Sequence, residues 1–263
     1  MVSSSITYAL TFQFLVSFLL PIVLIIYFKR KNKLSWRSLG IGILIFLLFV
    51  NILERLLHSF MLDPNNPSQL VFSDNPFFYC LYGILAAALF EEIGRFVGFT
   101  FFLKKNHSVG DGLSYGLGHG GVEVFTIGLL GSITGFLMIG LINNGELTTS
   151  LSGQMTTEQI EALRNQFVDT PAYYYILSGL ERIAALGMQL FLSLVVLLGV
   201  RKREMIYIGY AVLAHAVFNV APALYQIGVI SNVFVAETII FAFGLLAVYG
   251  IKRVVREHEQ IVS

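Results

Sequence analysis

Residues 77–103 read FFYCLYGILAAALFEEIGRFVGFTFFL. The length and apolarity are those of a membrane span, which takes about 20 mostly apolar residues. Yet Glu91, Glu92 and Arg95 lie inside it. On translocon scales a charge at mid-helix costs about 2.5–3.5 kcal/mol, so such groups normally face a cavity or a partner. A stretch of this kind belongs to a helical bundle with a polar interior.

The whole chain has the same character. Of its 263 residues 56% are hydrophobic and 13% charged, against about a quarter charged in an ordinary soluble domain. A soluble enzyme of this composition could not cover its surface with polar groups. The net charge of +1 gives no basic face for nucleic acid. Cys80 is the single cysteine, which excludes an internal disulfide and argues against a cysteine-based metal site. The apolar N-terminus is not preceded by positive charge and does not read as a signal peptide.

Seven spans are predicted, at roughly 6–28, 39–62, 77–103, 109–142, 173–200, 205–224 and 231–251. No period-two alternation points to a barrel, and no internal repeat is visible. The expected fold is therefore all-α: one integral-membrane domain over 1–263, with a core at about 77–224 and an outer loop at 143–172. The fourth span is too long to cross straight, and Gly131 or Gly135 could host a break. Basic residues set the orientation. Lys29, Arg30, Lys31, Lys33 and Arg37, then Lys104 and Lys105, then Arg201, Lys202 and Arg203, then Lys252, Arg253 and Arg256 fall on one side of seven spans. The opposite loops hold Arg164 alone. Lys and Arg favour the cytoplasm, so the N-terminus is expected outside and the C-terminus inside. Within the outer loop, 156–167 reads as a helix with Thr157 as its cap and Ile160, Leu163 and Phe167 on one stripe.

Depth sorts the buried charges. Glu91, His119 and His215 lie about 10–12 residues from the cytoplasmic ends of their spans, or about 15–18 Å deep. A carboxylate and two imidazoles thus share a level. Residues four apart share a helix face, which pairs Glu91 with Arg95, His119 with Glu123 and His215 with Asn219. Glu91 and Glu92 diverge by about 100°, so one can face a cavity while the other pairs with Arg95. Glycines around His119 (110, 112, 116, 118, 120 and 121) allow close helix approach and leave room for a substrate backbone. Glu54 with Arg55, and Glu181 with Arg182, read as structural counter-ions. Glu237 reads as a snorkelling residue near a span end, and Asp111 as a cap.

The series Glu91-Glu92-x-x-Arg95, Tyr115-x-x-x-His119-Gly-Gly-Val-Glu123 and His215-x-x-x-Asn219 resembles the YhfC family of intramembrane proteases. That family is grouped with the type 2 CAAX prenyl proteases and PrsW. The chain has Tyr115 where the CAAX pattern has Phe. Its first motif is one residue shorter and similar to that of PrsW, which weakens any transfer of prenyl-protein substrates. The resemblance implies that Glu91 and His119 activate water, that His215 and Asn219 stabilise the oxyanion, and that Glu92, Arg95 and Glu123 support them. Bare chemistry agrees: peptide hydrolysis needs a base for water and donors for the developing oxyanion.

The favoured expectation is a metal-free, glutamate-dependent endopeptidase of the plasma membrane, acting on a membrane-embedded or membrane-anchored peptide. Membrane lipids are its other partners, and nucleic acid is not one. Zinc is the alternative cofactor, with His119, His215 and Glu91 or Glu123 as ligands around an open position. The rival functions are a proton- or ion-coupled carrier, against which stands the lack of paired broken spans, and a catalytically silent scaffold with a protease-like fold.

Overall fold

The computed structural model describes residues 1–64 and 66–260. Seven long apolar helices dominate it: α1 (Ser4–Arg30), α2 (Trp36–Met61), α3 (Pro76–Phe102), α4 (Val109–Asn144), α7 (Ala172–Lys202), α8 (Ile206–Gln226) and α9 (Val233–Gln260). Two short ones, α5 (Leu147–Leu151) and α6 (Thr157–Asp169), fill the loop after α4. Among the described residues there is no strand, only isolated bridges joining Leu62 to Leu70 and Leu70 to Ser73. The protein is an all-α integral membrane protein, and the seven spans fall where hydropathy places them. α9 runs further than expected, to Gln260.

The long fourth span is not broken at a glycine. It runs through Asn144 with one wider π-helical stretch at Val124–Leu130, just before Gly131. Similar stretches occur at Phe49–Glu54 in α2 and Gly98–Phe102 in α3. A π turn takes up an extra residue without breaking the ladder, and such turns are frequent at functional sites.

The chain forms two compact units. One comprises Met1–Ile22 and Glu123–Ile183. Its core joins Val2, just before α1, and Ile6 and Leu10 of α1 to Ile139 and Ile142 of α4, Leu147 of α5 and Ile160 of α6. α6 therefore packs on this unit rather than standing in solvent. Its cap is Thr156, not Thr157: the Thr156 hydroxyl accepts from the Gln159 amide, and the Gln159 side chain accepts from the Thr156 amide. This reciprocal capping box satisfies two donors that a helix start leaves open. Glu181 and Arg182 pair here as counter-ions.

The second unit comprises Val23–Val122 and Ala184–Ser263. Its centre is α7, buried on almost every face from Ala184 to Leu198, as befits a helix that is apolar all round. The glycines of α4 fix its packing. A β-carbon at Gly118 would lie 2.1 Å from the Leu39 carbonyl oxygen of α2, and one at Gly42 would lie 2.3 Å from that of Tyr115. On another side, β-carbons at Gly112, Gly116 and Gly120 would strike Leu194, Leu190 and Gln189 of α7. Four of the glycines expected to leave room for a substrate, Gly112, Gly116, Gly118 and Gly120, are thus taken up by helix–helix packing. At the start of α4 the cap is Ser108 rather than Asp111: the Ser108 hydroxyl accepts from the Asp111 amide, and the Asp111 carboxylate accepts in return from the Ser108 amide. Asp111 also accepts from the Ser38 hydroxyl of α2, which ties two spans together.

Candidate active site

Glu91 and Glu92 arise from α3, His119 from α4, Gln189 from α7 and His215 from α8, all within the second unit. The glycine contacts bring α4 close enough to α7 that His119 and Gln189 reach one carboxylate. His119 Nε2 lies 2.9 Å from Glu91 Oε2. Gln189 Nε2 and Arg95 Nη2 donate to the same oxygen, each at 3.1 Å. The other oxygen, Oε1, is 4.0 Å from His215 Nε2. His215 Nδ1 lies 2.8 Å from Glu92 Oε1, and Arg95 Nη1 donates to that oxygen at 2.8 Å. Arg95 also donates to Gln189. The edge of the Phe46 ring closes on His119, with 5.0 Å between ring centres.

The three residues expected at one level therefore meet in one cluster. All are buried: Glu92, Arg95 and His119 have no exposed surface, and Glu91 and His215 retain a few per cent. Burying charge is tolerable only when it is paired and hydrogen-bonded, and the guanidinium between two carboxylates does this. The adjacent glutamates solve their 100° divergence by each taking one histidine while sharing Arg95. Asn219 lies one turn beyond His215, in a groove of about 280 Å³ with Tyr79, Cys80, Gly83, Ile84 and Pro222. Ile84 is two turns from Glu91 on the same face of α3. Pro222 lacks an amide hydrogen, so the Phe218 carbonyl beside this groove loses its usual helical donor. Glu123 closes the regular part of α4 and belongs to the first unit.

Two expectations about charges need correction. Glu54 does not pair with Arg55; its Oε1 is 3.5 Å from His58 Nε2, which lies one turn on and shares its helix face. His58 Nδ1 in turn lies 2.6 Å from the Tyr82 hydroxyl. Glu54 is buried and feels the charges of Glu91 and His215. Glu237 does not snorkel but is buried. Gln189 was not foreseen as part of the cluster, though a lone amide in the apolar run 183–192 was the available signal.

Zinc takes the residue types present here, two imidazoles and a carboxylate. Their atoms are engaged with one another. Glu91 Oε2 already meets three donors. If His119 ligated through Nε2, its proton would sit on Nδ1, which is buried without a partner. Ligating histidines hold that second N–H on an acceptor. Among the described residues no three or more His, Cys, Asp or Glu are arranged to hold a metal. As placed, the residues do not fit a zinc centre.

No solved structure matches the chain. The uncharacterized membrane protein YhfC of Bacillus subtilis (strain 168) is 37% identical over 256 residues, which is 97% of this chain and 99% of that protein. The model of the YhfC intramembrane metalloprotease family matches residues 16–240, a range that contains every residue of the cluster. The buried carboxylate–imidazole cluster thus lies within a match that spans most of the sequence, and the chain belongs to the YhfC intramembrane metalloprotease family.

Proposed function

We propose that this protein is an intramembrane endopeptidase that hydrolyses a peptide bond of a membrane-embedded or membrane-anchored substrate, with Glu91 as the base. The observation that carries this reading is the 4.0 Å separation between Glu91 Oε1 and His215 Nε2. It is too long for a hydrogen bond and suits one water bridging both atoms. Every other strong contact of these residues holds them in place. His119, Gln189 and Arg95 fix Glu91 through Oε2, which leaves Oε1 to take the proton of the water. His119 is on this reading a positioning residue.

Glu92 fixes the Nδ1 side of His215 and supports positive charge on the ring. The protonated ring then donates from Nε2 to the oxyanion as it forms, and Asn219 supplies a second donor from the groove. Donors aimed at a developing oxyanion are each worth about 10²–10³ in rate. The groove beside Asn219 receives the peptide. The proton taken by Glu91 is passed to the leaving amine, so the carboxylate is restored after each turnover. No step passes through a metal.

The test compares membrane peptides in cells carrying the wild type and Glu91→Gln. A membrane peptide that accumulates intact in the variant is the expected result. Identical peptide profiles would leave the carrier or scaffold readings. Cleavage of that peptide by purified protein should persist in a strong chelator. Loss in chelator and recovery with zinc would overturn the metal-free mechanism while keeping the protease.

A further inference from the structure

A second pocket, of about 480 Å³, lies where α3 and α7 end and α8 begins. Pockets of about 300–1,000 Å³ hold small ligands. This one is lined by Phe96, Thr100, Gly199, Val200 and Met205 together with Lys104, His107 and Arg203. No acidic side chain is among its lining residues. Neither Lys104 nor Arg203 forms an ion pair among the described residues. His107 Nε2 lies 3.1 Å from the Phe99 carbonyl, which anchors the ring at the rim. The Thr100 hydroxyl oxygen is buried with no partner. The nearest acidic position in sequence is Glu204, beside Arg203.

The backbone adds an independent observation. Arg203 has φ +59°, in the left-handed region. It closes α7: its amide donates to the Val200 carbonyl and that of Glu204 to the Gly199 carbonyl. Such a position ordinarily holds glycine or asparagine. At the end of α1 it holds Asn32, with φ +52°. An arginine held in this unfavourable conformation next to a basic, acid-free pocket points to a role for its side chain.

We propose that this pocket binds the phosphate headgroup of an anionic phospholipid. The wall of Phe96, Val200 and Met205 suits the acyl side of an amphiphile, and Lys104, His107 and Arg203 suit its phosphate. A free phosphate would use the cations but gain nothing from the apolar wall. Basic pockets between spans near the membrane surface are sites for such headgroups.

The experiment uses the full-length protein purified in detergent. Thermal unfolding and native mass spectrometry are followed on titration with phosphatidylglycerol, phosphatidylcholine or inorganic phosphate. Phosphatidylglycerol should bind and raise the melting temperature, and the other two should not. Lys104→Gln with Arg203→Gln should weaken phosphatidylglycerol binding about tenfold or more. Arg203→Gly relieves the backbone and should melt no lower than wild type without lipid, yet lose most of the lipid-induced rise. A purely structural arginine would behave oppositely. Lys29→Gln with Arg30→Gln is the charge-matched control. An equal loss in that control would mean diffuse attraction and overturn the site. Binding of phosphate as tight as that of phosphatidylglycerol would overturn the lipid assignment.

Discussion

Glu91 sets the chemistry at the scale of single residues. Its replacement by glutamine keeps the shape and removes the base, so cleavage of the accumulating peptide should fall at least about 10²-fold. Asn219→Ala should cost about 10²–10³ in rate by removing an oxyanion donor. His119→Ala acts through the carboxylate and should leave a partly active enzyme with an altered pH profile. Glu91→Gln and His119→Ala need a melting curve beside the rate, because breaking a buried ion pair destabilises by roughly 3–5 kcal/mol, although Glu92 and Gln189 still hold Arg95 when Glu91 is replaced. Much of this site was legible in the sequence. Depth and i, i+4 spacing placed Glu91, His119 and His215 together, since both follow from helix geometry alone. Gln189 and the His215–Glu92 bond were not legible, because they depend on which faces of α7 and α8 turn inward. The pairing of Glu54 with His58 rather than Arg55 was legible in principle from the one-turn spacing.

Helix α6 is the element whose behaviour sequence pattern caught least well. Its stripe of Ile160, Leu163 and Phe167 was clear, but its start was misplaced by one residue, because the box needs Thr156 three before Gln159. Whether it would pack or lie in solvent depended on α1, α4 and α5, which pattern alone does not bring to it. Ile160 is 2% exposed in the core of its unit. Ile160→Ala should therefore cost about 2–5 kcal/mol and Thr156→Ala about 0.5–2 kcal/mol. Thermal unfolding with limited proteolysis of 143–172 would check both. A loss confined to proteolysis, with no change in melting temperature, would show α6 to be an independent flap. The π stretches were likewise hidden, since the apolar pattern of α4 reads the same with a wider turn at Val124–Leu130 as without one.

Across the whole molecule the span count was written in hydropathy, and the orientation rests on the basic residues. We expect cysteines placed in 29–38 and 201–204 to be shielded from an impermeant thiol reagent applied outside intact cells, and ones in 146–166 to react. Labelling of 29–38 from outside would reverse the topology. The order in which the cluster is assembled has a further consequence, for biosynthesis. Glu92 and His215 are 123 residues apart in sequence. At about 5–20 residues per second, α3 waits about 6–25 s in the membrane before its last partner is made. During that time Arg95 can screen its two glutamates, but His119, Gln189 and then His215 arrive only in turn. The nascent protein is thus most exposed to quality control before α8 emerges. A chain truncated after residue 203 should be degraded faster in pulse–chase labelling than one truncated after residue 228, and replacing Glu91 and Glu92 together by glutamine should narrow that difference.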